Sequence, residues 1–323
     1  MYAMFPFFHS IFNGSEETGG FPESLIKAAV ERAVDGTDPW LRAVSGYKKE
    51  LRPAVLLAIA HVVDLVDSIP PPVVLSRTSF ENNPQLHPFF ISGDELDTFI
   101  AKNKPLAELR KNAGEAREAH ALLFMEKRET WILGAELVGE IITSGVPMMT
   151  VSFESHQLVD PSVTESVMRR KLKIRAFDHL LSIALKRITA VKTERGNLER
   201  YRALLEAKLN LLNQVGWGFG EAHTVVGEDL EKTADLLGKI EAQLNAIGSD
   251  DEMLGKYLHC VIKVLSNPAG YLWAIHEKLT IDRMGIKRGG GDCNTPELQL
   301  NELGNAEGRC LVFVPVTIPL CPV

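Results

Sequence analysis

The chain lacks most residue patterns that announce a chemistry. Only four of its 323 residues are cysteine (Cys260, Cys293, Cys310 and Cys321), and none belongs to a CxxC pair. A tetrahedral metal needs ligands held in close pairs, so this spacing argues against a zinc module; without an export signal the thiols are expected to be reduced. GxSxG, HExxH and GxxxxGK(S/T) are all missing. Long apolar runs are missing too. The most hydrophobic stretch, Pro53 to Val66, is interrupted by His61 and Asp64 and is too short to cross a bilayer, so it reads as a buried core helix. The opening MYAMFPFFHSIF has no basic lead, contains Pro6 and precedes no small-residue cleavage motif, so it is not read as a signal peptide. Charged residues make up 24% and the net charge is −7, a balance that argues against whole-chain attraction to nucleic acid or anionic lipid. These absences lead to the expectation of a cytoplasmic protein without membrane contact.

What is present is architectural. A hydrophobic content of 45% over this length is enough for one large domain or two small ones with a buried core. From Val167 to Leu212 seam positions recur at an unbroken three-and-four spacing: Val167, Arg170, Ile174, Phe177, Leu181, Ala184, Ile188, Val191, Arg195, Leu198, Arg202, Leu205, Leu209 and Leu212. Such a repeat holds one helix face against a partner over a long distance. Before Val191 extra apolar residues (Leu172, Leu180, Ile183, Leu185) widen the stripe, as in a helix lying on a globular body; beyond it the stripe narrows to a coiled-coil seam. Gly196 costs about 1 kcal/mol relative to alanine in a helix and is a candidate break. After the glycine-rich VGWGFGEAHTVVG, a second arm carries Leu230, Thr233, Leu237, Ile240, Leu244 and Ile247 at the same spacing and ends at Gly248. An antiparallel helical hairpin follows, with a first arm of roughly 80 Å and a second of roughly 30 Å at 1.5 Å per residue.

Elsewhere, Pro22 and Gly36 bracket one helix, Asp38-Pro39 and Pro53 mark two further starts, and Pro70 to Pro72 stop the last of these. Ser92 with Glu95, and Ser162 with Glu165, have capping-box spacing. Between Ala119 and Val159 the runs HALLFME, TWILGAELVGEIIT and PMMTVSFESHQLV read as a three-stranded antiparallel meander, with turns at Lys127-Arg128 and Ser144-Gly145. DEMLGKYLHCVIKVL reads as one more helix, and KLTID, LQLNEL and RCLVFVPVTI as strands. Pro315 and Pro319 cannot donate ladder hydrogen bonds, which predicts an edge position for the last strand.

Three constellations bear on function. Arg169, Arg170, Lys171, Lys173, Arg175, Lys186, Arg187 and Lys192 stand against Asp178 alone, a candidate surface for phosphate or an acidic partner, or else a solvated or internally docked face. Trp217 and Phe219, between glycines at the hairpin tip, are candidate anchors for a partner, or rings that fold back to cap the coiled coil. Ser152, Glu154, Ser155, His156 and Asp160 supply hydrolytic residue types, but neighbours on a strand point to opposite faces, which separates Ser155 from His156. Gly285 to Gly291 has the glycines of an anion-binding loop without a P-loop context, and reads as a surface loop.

The stretches MEKRETWILGAELVGE, VSFESHQLVDPS and RRKLKIRAFDHLL, with DPWLRAVSGYKKELRPAV nearer the N-terminus, resemble a group of uncharacterised bacterial proteins. The resemblance implies a bacterial cytoplasmic protein and carries over no functional residue. The reading is therefore an α+β protein in four parts: a helical part to residue 118, the meander with the basic helix over 119–192, a projecting coiled-coil hairpin over 193–248, and a helix with short strands over 249–323. The expected function is non-enzymatic interaction or scaffolding through the hairpin, by a protein partner or self-association. Nucleic-acid or polyanion binding through the basic helix stands second and a hydrolase-like enzyme third. No catalytic, cofactor-binding or metal-ligating residue is assigned.

Overall fold

A computed structural model describes residues 20–112, 114, 116–138, 141–215, 223–248, 250–282, 284–288 and 297–320. The fold is α+β, with an antiparallel sheet and one very long helix. It divides into two compact units, one built from residues up to Ala58 with Asp178–Asn267, the other from Ile59–Phe177 with Pro268 onward.

In the first unit, helix α1 (Glu23–Asp35) starts after Pro22 and stops at Gly36, as the spacing predicts, and buries Leu25, Ile26, Ala29, Val30, Ala33 and Val34. Asp38-Pro39 opens only a 3₁₀ turn, Pro39–Ala43, where the Asp38 carboxylate accepts from the Trp40 amide at 3.0 Å. Helix α2 (Tyr47–Asp67) begins at Tyr47 and not at Pro53. The Gly46 carbonyl accepts from the Lys49 and Glu50 amides, and buried Leu51, Ala54 and Val55 hold the helix on either side of the bond that the proline cannot donate.

Helix α6 (Glu165–Val215) runs without interruption through Gly196. It crosses the division between units, as α2 does. Its cap is Thr164, whose Oγ1 accepts from the Val167 amide at 3.4 Å; Ser162, the expected cap, still belongs to the preceding strand and donates to the Asp160 carbonyl. Up to Ile188 a broad stripe is buried, including Met168, Leu172, Phe177, Leu180, Leu181 and Ala184, whereas beyond Val191 Leu205 stands buried among exposed neighbours. Helix α7 (His223–Ile247) ends at Gly248 and buries Thr233 and Ile240, two of the expected seam positions. Helix α8 (Asp250–Leu265) buries Met253, Leu258, Val261 and Val264. The Lys192 ammonium, 2.7 Å from Asp38 and 5.1 Å from the Tyr257 ring centre, ties α6 to the 3₁₀ turn and to α8.

The second unit is built on strands β1 (Val73–Val74), β2 (Glu118–Val138), β3 (Ile141–Ser162), β4 (Leu272–Thr280), β5 (Glu297–Asn305) and β6 (Cys310–Pro319). Their order is β3-β2-β6-β5-β4, with β1 parallel to β6. The predicted meander is two long strands, not three short ones. Lys127 and Arg128 lie within β2, opposite Phe153 and Ser152, and Gly145 is a bulge residue at φ 81°. The register shifts three times along this hairpin, each time with the extra residue on β3; two of these bulges contain Ser155 and Asp160 at φ 56° and 54°. Extra residues on one strand only make that strand the longer path and bend the hairpin.

The bend brings β3 round to the far side of the sheet. The Val151 amide donates to the Gly285 carbonyl, Lys287 to Met149, and Arg288 to Thr280, each at 2.8 Å, so residues 285–288 bridge β4 back to β3 and hydrogen bonding runs full circle. Inside lie Leu123, Met125, Val151, Phe153, Leu158, Leu279, Leu298, Leu300, Val312 and Val316. Helices α4 (Gly93–Lys102) and α5 (Lys104–Asn112) add Leu96, Ile100 and Leu106 to this core, and Phe80 of α3 (Arg77–Asn82) packs against it partly buried. Helix α4 keeps its capping box: Ser92 Oγ accepts from the Glu95 amide, while Glu95 reaches past Ser92 to accept from Ile91 at 2.7 Å.

Strand β6 is central, contrary to the edge position expected from its prolines. The Thr317 carbonyl accepts from Leu75, and Leu320 donates to Arg117, so odd residues of β6 face β5 and β1 while even ones face β2. Pairing to β5 ends at Phe313 and pairing to β1 begins at Val316, so Pro315 faces the gap where no donor is required, and Pro319 lies past the end of β1. The rule behind the expectation holds for each ladder bond, not for the whole strand.

A Cβ on Gly196 meets nothing within 4 Å. Gly196→Ala is therefore expected to stabilise the protein by about 1 kcal/mol, measured by chemical denaturation, through helix propensity alone.

Candidate interaction surfaces

The basic stretch of α6 is largely engaged inside the fold. The Arg169 guanidinium caps the C-terminal end of α2, donating to the carbonyls of Val66 at 2.9 Å, Ile69 at 3.0 Å and Pro70 at 3.1 Å, and also to Glu165 at 2.7 Å. Lys173 pairs with Asp67 at 2.8 Å. Arg170 is buried, with 8% of its surface exposed. Lys186 and Arg187 are also partnered. A charge run in sequence thus becomes a docking face for carbonyls and carboxylates.

Lys171 and Arg175 differ in lining an open cavity of about 480 Å³, with Pro105, Glu108, Asn112, Asp160 and Pro161. Asp160 takes both nitrogens of the Arg175 fork at 2.9 Å, and Lys171 donates to the Pro161 carbonyl at 3.1 Å. Burial pushes the Lys171 ammonium below the ordinary lysine range, partly opposed by Asp160. The bulge at Asp160 creates this arrangement. The cavity therefore combines acidic and basic groups and is not a cationic cup.

The hydrolytic residues do not converge. The bulge at Ser155 and His156 changes the simple alternation expected there. Ser155 Oγ lies 3.4 Å from Glu126, and Ser152 lies 3.4 Å from Glu154. His156 stacks on Phe90 with ring centres 4.9 Å apart, meets the Phe99 edge, and has Nε2 2.6 Å from the Phe89 carbonyl. It packs β3 against the helices. Among the described residues no group of three His, Cys, Asp or Glu side chains is placed to hold a metal, and no helix is long and apolar enough to cross a membrane.

An ionic cluster unread in the sequence continues the core face of the sheet. Lys127 on β2 lies 2.5 Å from both Glu277 on β4 and Glu302 on β5, while Lys287 approaches Glu129 at 3.6 Å and Glu277 at 3.7 Å. Burial disfavours the Glu302 carboxylate, but hydrogen bonds from Lys127 and Cys310 outweigh it and hold its pKa below the ordinary value. For Lys127 burial is likewise outweighed, by Glu277 and Glu302, and the pKa is raised. Burial and then Glu302 push the Cys310 thiol, 3.1 Å from Glu302, up to about 11. Charges at these positions mark the sheet pattern once their cross-strand partners are known.

Among the exposed apolar residues, two groups lie close together along the chain. Trp131, Ile132 and Leu133 lie on the distal part of the β2–β3 hairpin, and Tyr201 and Leu204 lie one helical turn apart on α6, outside the seam. Trp217, Phe219 and Gly289–Gly291 fall outside the described residues. In comparisons with known proteins, no family model, curated protein or solved structure matches this chain.

Two measurements probe the ionic cluster. Because the Glu302 pKa is lowered on folding, its contribution is complete above the unfolded carboxylate value and is lost as pH falls through the folded one. Glu302→Gln is expected to cost about 2 kcal/mol at pH 7, with a shrinking difference from wild type below about pH 4.5. At pH 8 Cys310 is expected to alkylate on the order of 100-fold more slowly than a peptide cysteine, and faster in Glu302→Gln, as read by site-resolved mass spectrometry.

Proposed function

We propose that the protein is a non-enzymatic interaction or scaffolding protein whose α6–α7 helical pair docks a protein partner or a second copy. Helix α6 spans about 76 Å and α7 about 38 Å at 1.5 Å per residue, so an antiparallel return of α7 covers only the distal part of α6. The observation that carries the reading is the exposed pair Tyr201 and Leu204, at 48% and 66% exposure, on a helix whose seam residue Leu205 is buried at 7%. An apolar step beside an occupied seam is the surface a further helix would use. Polyanion binding ranks below this reading, because Arg169, Lys173 and Arg175 already hold carbonyls and carboxylates of the same fold.

Tyr201→Glu and Leu204→Glu place charge on that face without touching a buried residue. Affinity capture with the full chain, compared between wild type and the two variants, is expected to lose the same bound protein in both variants while thermal stability changes little. Capture that is unchanged by both variants would remove the role assigned to this face.

A further inference from the structure

Beyond Met125, β2 leaves β6 and continues paired with β3, whose far edge is still held by residues 285–288 at Val151 and Met149, so among the described residues the hairpin is a two-stranded ribbon only past Trp131. Among the described residues no strand pairs with its outer edge from Glu126 to Val138. The direction of that edge follows from the register. The Arg117 carbonyl accepts from Leu320 at the end of β6, and every extra bulge residue lies on β3, so β2 alternates regularly and the backbone groups of its odd residues face outward. Trp131 and Leu133 therefore turn outward N–H and C=O groups that no strand among the described residues pairs with, and 67% and 78% of their surfaces are exposed, beside Ile132 at 40%. A ribbon of two strands is marginal in water, and an open apolar edge is a template for another strand.

We propose that this edge pairs with the same edge of a second copy, antiparallel about a two-fold axis at Ile132. In that register Trp131 stands opposite the second copy's Leu133 as a hydrogen-bonded pair, once on each side of the axis, and Ile132 meets its counterpart. The sequence then sets Arg128 opposite Glu136, again twice. Shifting the axis to Trp131 would set Arg128 opposite Gly134, and shifting it to Leu133 would set it opposite Val138, so of these three axes, those centred in the exposed apolar stretch, the one at Ile132 joins opposite charges. Arg128 is available for this, since its side chain is 68% exposed and its contact with Glu154 is a loose 3.5 Å. Opposite charges directly across a strand pair add stability, and like charges remove it. An interface in which one patch meets itself is the ordinary basis of a two-fold dimer.

Sedimentation velocity on the full chain over a concentration series tests the proposal. Wild type is expected to form a dimer whose share grows with concentration. Leu133→Pro deletes an outward N–H and leaves the ladder to β3 intact, and Arg128→Glu sets like charges opposite; each is expected to weaken the dimer at least tenfold. Adding Glu136→Arg to Arg128→Glu is expected to restore it, which also shows that the single variant is folded. A wild type that stays monomeric, a dimer indifferent to both single variants, or a charge swap without rescue overturns the proposal. So does a monomer that floats with phosphatidylcholine vesicles through Trp131. Tyr201→Glu and Leu204→Glu should leave the ribbon dimer in place. Dimer loss in those two with none in Arg128→Glu would favour the helical pair and overturn the ribbon.

Discussion

The second unit depends on the return of the sheet onto itself through residues 285–288. Three backbone hydrogen bonds from that short segment join β4 to β3 and so enclose the apolar core. That closure requires β3 to be longer than β2 over the same rungs, which is what its bulges at Gly145, Ser155 and Asp160 supply. Non-glycine residues at positive φ are costly by about 1 kcal/mol or more, and they persist because the surrounding ladders leave no alternative. At Asp160 the cost is offset by the Arg175 fork, which joins the bulge to α6.

The same logic explains where the charges went. Lys127 and Glu302 would be unfavourable on a core face alone, but they meet as an ion pair from β2 and β5, two strands separated by β6, next to the rung of Met125 and Val312. On α6 the basic run meets the carbonyl-rich end of α2, where a guanidinium satisfies acceptors that the helix leaves open. Both groups of ions sit at places where backbone or carboxylate oxygens would otherwise lack donors. They report on assembly of the fold before they report on a ligand.

How much of this was legible varies with the range of the interaction. Helix α1 between Pro22 and Gly36, the cap at Ser92 and the narrowing of α6 beyond Val191 follow from residues within a few turns of one another. The cap at Thr164 was misplaced by two residues because Ser162 has the same chemistry and is claimed by β3. The candidate surfaces were less legible. An arginine run has the same spelling whether it faces solvent or a helix end. The open edge of β2 is invisible until β6 is known to leave it at Met125.

By itself the sequence determined the α+β class, the long helix and its two characters, and most helix boundaries. These rest on local propensity, capping and periodicity, all written within one segment. Tertiary structure decided which strands neighbour which, why Pro315 can sit in a central strand, and which basic residues are engaged internally. Those outcomes depend on pairings between Val73 and Val316, Thr150 and Ile286, and Arg169 and Val66. A hydrogen-bond donor far along the chain leaves no periodic trace, so only the folded arrangement could specify its acceptor.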